Sequence, residues 1–307
     1  MQGPKPAAFL RRCSLLLLLW CAPFGSWAQA LSLSFEGGLD PRIQPEAAAW
    51  NARLLQALEQ AQVRAMLFPL GQASDSEPGL ALVRAWGEAG HAIGNLTYSG
   101  RAYGSPRVSF ADFSADVLAA DALLREMPGW TPRLRFPGLQ EGESADKRDR
   151  MRDWMTLHGY EAAPVSIDTC DACYDERWQA WRQQHPGADP ARWREAYLTH
   201  LWGRAQHYDA LARRLLGRSP VHVLRLHANG LNAEFLDEAI EMFRRRGWRI
   251  VPPEEALADP LYRKPVDTLP AGEGVLWARA KRAKLPGLRH PPEDVRYEKP
   301  RLDKLAS

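Results

Sequence analysis

Leu31-Ser32-Leu33-Ser34-Phe35-Glu36-Gly37-Gly38 alternates apolar and polar residues and then breaks at a glycine pair. Period-two alternation marks a strand, and the Gly-Gly break marks the loop that ends it. Downstream, Trp50, Leu54, Leu55 and Leu58 recur at helical spacing within 45–62, and 63–68 is again a short apolar strand. The same exchange of periods continues. Helices are expected at 79–89, 110–127, 145–158, 190–216, 233–245 and 254–257, and strands at 92–96, 134–136, 163–167, 221–226 and 248–251. Strand and helix in alternation imply a parallel sheet covered by helices, closed into a barrel or left open and doubly wound. Periodicity alone does not choose between these.

Upstream of that first strand the chain has a different character. Lys5, Arg11 and Arg12 precede an apolar run from Cys13 to Ala22, and Ala28-Gln29-Ala30 supplies small residues of the kind a signal peptidase reads. The run is shorter than the roughly 20 apolar residues of a spanning helix. Residues 1–30 therefore read as a signal peptide, and the mature protein is expected in the periplasm or outside the cell, without a membrane span. The leader carries three of the 40 Lys and Arg residues and no acid, so 37 basic residues face 37 acidic ones in the remainder. Nothing in that balance favours nucleic acid or an anionic membrane. Past Tyr262 the composition shifts to Pro, Gly, Lys and Arg. This divides the chain into a domain at 31–262 and an extension at 263–307, part of it expected to be disordered. Twelve tryptophans suit a core or a sugar-stacking cleft.

Five short runs at the expected strand ends carry a resemblance. They are Ser34-Phe35-Glu36-Gly37-Gly38, Gly90-His91-Ala92-Ile93-Gly94-Asn95-Leu96-Thr97-Tyr98-Ser99-Gly100, Arg135-Phe136-Pro137-Gly138, Ile167-Asp168-Thr169-Cys170-Asp171-Ala172 and Leu224-Arg225-Leu226-His227-Ala228-Asn229. In this order they resemble the motifs of the polysaccharide deacetylase (NodB-homology) family. The resemblance implies an α/β fold, a distorted and incomplete (β/α) barrel with its site at the carboxyl ends of the strands. It also implies removal of N-acetyl groups from carbohydrates with a divalent metal, usually zinc. The family holds its ion with an Asp and two His, and these positions here are Gly37, Leu96 and Gly100. Zinc sites need N, O or S donors, which Gly and Leu side chains lack. Metal binding lowers the pKa of water from roughly 15.7 to about 7, on the order of 10 kcal/mol of assistance. A divergent, metal-free member that binds a cell-envelope glycan or a protein partner is the expectation, with an active hydrolase holding a relocated metal, or an envelope thiol-disulfide protein, as the alternatives.

By the same resemblance Glu36 holds the place of the base, His227 the acid, Asp171 the carboxylate that tunes it, and Arg135 the arginine that orients the base. The bland reading of these four is a structural charge network at the strand ends. Arg225 stands where the family has an apolar residue. Strand period puts it on the face of His227, so it must either pair internally, with Glu36 or Asp171, or meet an anionic ligand. Asn229 belongs to the same cleft. Gly138 and Ala172 replace aromatic walls of the family's groove. Cys170 and Cys173 leave three readings open: a local disulfide, a relocated metal site with His227, or a redox pair. Asn95-Leu96-Thr97 spells a glycosylation sequon.

Overall fold

The computed structural model describes residues 29–306, together with Met1 and Gly3. The basic and apolar parts of the expected leader lie outside the described residues, but its last two residues belong to the fold. Ala30 is buried and opens the first strand, and the Gln29 amide donates to Asp209 Oδ2 at 2.9 Å.

The chain runs β1 (Ala30–Gly37), α1 (Ala47–Gln60), β2 (Met66–Pro69), α2 (Gly71–Ser74), α3 (Glu77–Glu88), β3 (Ala92–Asn95), α4 (Phe110–Leu124) and β4 (Trp130–Leu134). It continues through β5 (Gln140–Gly142), α5 (Ala145–Leu157), β6 (Glu161–Ala162), β7 (Ile167–Asp168), α6 (Asp171–Gln184), α7 (Ala191–Leu216) and β8 (Val221–His227). The last elements are α8 (Gly230–Arg245), β9 (Arg249–Ile250), α9 (Pro253–Leu257), β10 (Ala271–Gly272), α10 (Val275–Arg282) and α11 (Asp294–Ala306). Eight strands form one parallel sheet in the order β6-β4-β3-β2-β1-β8-β7, with β9 beside the first residues of β1. The sheet curls into a half-barrel flanked by helices, so the incomplete barrel is the architecture found.

β1 shows why. Leu31, Leu33 and Phe35 join the main core, where the Phe35 ring lies 5.2 Å from that of Trp86. Ser32, Ser34 and Glu36 fall on the opposite face and are buried too. In a half-polar strand of an open antiparallel sheet those residues meet water. Here they meet the barrel interior, as parallel sheets covered on both faces require.

The expected strand at 163–167 is the main departure. In its place two-residue edges, β6 and β7, flank the bridge 163–166 across the barrel's open seam. Ala163 N donates to Leu134 O at 2.9 Å on one side, and Ser166 N to Val223 O at 3.2 Å on the other. Between them the bridge holds no strand register, because its backbone serves two separate strands. The expected strand at 134–136 is seated earlier, as β4.

Beyond Tyr262 the expectation of partial disorder is corrected. β10 pairs antiparallel with β5, α10 lies on α7, and α11 lies on α6. Leu276, Ala280 and Leu302 are almost wholly buried in the main core. Enough apolar residues sit at helical spacing here to offset the cost of ordering the chain, despite the Pro and Lys around them. Among the described residues no helix is long and apolar enough to cross a membrane.

Candidate functional site

Register brings the motif residues together. Glu36 at the end of β1 stands beside His227 of β8, Ser34 beside Arg225, and Arg225 in turn beside Asp168 of β7. Neighbouring residues in register share a sheet face, so all five project into the carboxyl end of the barrel. Arg135 enters from just beyond β4, and Asp171 opens α6.

Glu36 is clamped from two sides. Arg225 Nε and Nη2 donate to Glu36 Oε1 and Oε2 at 2.8 and 2.7 Å, a bidentate pair. Arg135 Nη1 donates to Oε1 at 2.7 Å. Arg135 is itself fixed: Nε donates to Ala163 O at 2.6 Å and Nη2 to Ser34 Oγ at 3.1 Å, and its guanidinium lies 4.3 Å over the Phe68 ring. Charge-assisted, two-pronged contacts of this kind are the strong members of their class. Burial pushes the Glu36 carboxyl up, but Arg225 and Arg135 together outweigh it and hold the group at about 2. A carboxylate so acidic is a weak base near neutral pH.

Arg225 also reaches Asp168 Oδ1, 3.3 Å from Nη1. Of the two carboxylates expected as partners, Glu36 is the one it grips. Asp171 is turned away to His227, and Asp168 takes the second place. Arg225 is partly buried at the centre of this chain of charges; desolvation lowers its pKa, but Glu36 and Asp168 outweigh this and raise it above the ordinary value.

The second half of the site is built on Asp171. Oδ1 lies 2.7 Å from His227 Nδ1, and Oδ2 accepts from His227 N at 2.7 Å and from Asn232 Nδ2 at 2.7 Å. Asn232 is held in turn by the Tyr197 hydroxyl, which donates to its Oδ1 at 2.6 Å. Burial lowers the His227 pKa, yet the Asp171 carboxylate more than reverses this, so the imidazole titrates above its ordinary value. His227 Nε2 faces the cleft, 3.9 Å from Glu36 Oε2. The ring is 23% exposed, more than any other side chain of the cluster, so it is the group a ligand meets first.

The remaining sequence expectations sort by position. Asn229 caps α8, its Oδ1 accepting from Asn232 N at 2.9 Å, and so serves the helix that carries Asn232. Cys170 and Cys173 are disulfide-bonded across the first turn of α6. In this form the pair offers no thiolate, and the relocated metal site with His227 is not assembled. Asn95 is fully buried, donating to Val117 O and the Tyr160 hydroxyl at 3.0 Å each, so the sequon it opens does not present an acceptor to solvent. Sequence reasoning missed Asp168, Asn232 and Tyr197. Asp168 lies inside the fourth motif, three residues before Asp171, and only the β7–β8 register tells the two apart.

At the positions where the family holds its ion, Gly37 has no side chain and Leu96 packs among Met66, Phe68 and Ala163. A Cβ on Gly100 lands 2.8 Å from Leu70 Cδ1. Among the described residues no three His, Cys, Asp or Glu side chains form a group able to hold a metal ion. The donor set does not fit a divalent cation, and the one carboxylate at its place is already neutralised by guanidinium.

The polysaccharide deacetylase family pattern matches residues 19–162, the span of the first three motifs. No curated protein matches the sequence. Among solved structures, the chain is similar to a CE4 family pseudoenzyme from Bacillus anthracis at 14% identity and a TM-score of 0.51, over 75% of this chain and 66% of that one. A mutant of that protein with restored enzymatic activity matches at 15% identity and 0.51, over 75% and 68%. A CE4 esterase of Streptococcus mutans matches at 18% identity and 0.50, over 73% and 86%. At these identities the structures speak for the fold, and the fold agrees with the sequence pattern. Over residues 19–162 the chain is similar to the polysaccharide deacetylase family, and its fold is that of the CE4 structures.

Proposed function

We propose that the chain is a degenerate polysaccharide deacetylase whose cleft binds a cell-envelope glycan, in the periplasm or outside the cell, without metal-assisted hydrolysis. One observation carries this reading: Arg225 and Arg135 close on Glu36 where the family's chemistry requires a free base beside an ion. The side chains at 37, 96 and 100 supply no donor to a metal. Arg135, Asp171 and Asn232 act as positioning residues that fix Glu36 and His227, and His227 Nε2 is left to hydrogen-bond a ligand hydroxyl or carbonyl. The family's action on carbohydrate supports a glycan as that ligand.

The test is calorimetric titration of the purified protein with chitooligosaccharides and peptidoglycan fragments, with acetate assayed on the same samples. Saturable heat without acetate is expected. Acetate released at one turnover or more per chain overturns the silent reading, and absence of heat with every glycan overturns the binding one.

A further inference from the structure

The C-terminal segment delivers one acid to the site that no motif foretold. Gly272, Glu273 and Gly274 all have positive φ, at +95°, +65° and +85°. Glycine adopts such angles freely, whereas a glutamate there is strained. A Cβ on Gly272 lands 2.0 Å from Leu139 O, so this close approach admits only glycine. The loop is pinned on both sides, Glu273 N donating to Leu139 O at 2.7 Å and Val275 N to Val165 O at 2.8 Å. Its effect is to turn the Glu273 side chain inward, where it is 3% exposed. Among the described residues no group hydrogen-bonds the carboxyl, and His290 Nε2 stands 3.8 Å away.

The charges acting on Glu273 come from several elements. Asp168 of β7 repels it, and Lys281 of α10 and Arg225 of β8 attract it. Lys281 is also drawn to Leu269 O. Arg204 of α7 is spent on Asp168 O and Asp294, and Glu141 of β5 on Arg152. Asp168 already shares Arg225 with Glu36, so a second negative charge beside it finds little compensation.

We propose that Glu273 is a protonation-dependent latch: as the neutral acid it lets residues 266–290 close over the Asp168–Arg225–Glu36 chain, and as the carboxylate it loosens them. Burial first, and Asp168 second, push its pKa up to about 7. The sign follows. A carboxyl whose pKa is higher in the closed state than in the open one favours closure below the open-state value near 4.5, and that favour is lost as pH rises through about 7. The latch stands independently of the glycan reading.

Hydrogen exchange of amides 271–276 in the full chain reads it directly. Between pH 6 and pH 8 the protection factor in the wild type is expected to fall about tenfold, the ratio set by open and closed pKa values near 4.5 and 7. Glu273→Gln, which keeps the shape of the neutral acid, is expected to hold it constant. Equal behaviour of the two proteins overturns the latch. So does a carbon NMR titration placing the Glu273 carboxyl near 4.5 in the wild type, a readout that needs no variant to fold.

Discussion

Arg225→Leu, which returns the apolar residue the family motif carries, is expected to destabilise the protein by about 3–5 kcal/mol. The guanidinium lies between two carboxylates. Its removal leaves Asp168 without this cation and Glu36, 3% exposed, with Arg135 as its one guanidinium. A buried charge stripped of one partner costs far more than the intact pair contributes, because the desolvation it suffered is no longer offset. In urea the midpoint should fall with little change of slope. Glu36→Gln in the same background should recover part of the loss, since the neutral amide needs no second cation. In a double-mutant cycle the coupling between 36 and 225 should exceed about 1 kcal/mol. A single variant within about 0.5 kcal/mol of wild type is incompatible with internal pairing, and points instead to an arginine kept for an anionic ligand.

Asp171→Asn is expected to cost about 3 kcal/mol, through a different route. Asp171 accepts from the His227 backbone N–H and from Asn232 Nδ2 on one oxygen, and contacts His227 Nδ1 with the other. An amide in its place sets a donor against donors on at least one side, and each buried group left unsatisfied costs about 1–3 kcal/mol. The readout specific to this network is the histidine itself. His227 titrates above its ordinary value because of Asp171, so the variant should move it below that value, visible in an NMR titration of the ring. The raised pKa also contributes stability that is present at low pH and lost as pH rises through the folded value; in Asp171→Asn, with the imidazole below its ordinary value, this dependence should reverse sign. An unmoved imidazole contradicts the network.

Much of this arrangement was legible in the residues, for identifiable reasons. The alternation in 31–36 marked β1, and its polar half, Ser32, Ser34 and Glu36, turned out to line the barrel interior. Period two placed Arg225 on the face of His227, and a charge at that depth had to be paired, which left few partners to consider. The choice of Asp168 over Asp171 was not legible, because it rests on strand register across the sheet and not on local sequence. Nor was the bridge at 163–166, whose hydrogen bonds go to strands distant in sequence. Glu273 was hidden by composition. A Pro- and Gly-rich stretch reads as loosely ordered, yet the glycines on either side of Glu273 are what allow it to turn inward.

The central claim is that the carboxyl end of this barrel is closed by arginine–carboxylate pairs and offers no place for a divalent ion. Equilibrium dialysis of the purified full chain against zinc, followed by elemental analysis, addresses it directly. Much less than one zinc per chain, at concentrations well below those of non-specific surface binding, is the predicted result. One tightly held zinc per chain, lost on substitution of Glu36 or His227, contradicts it.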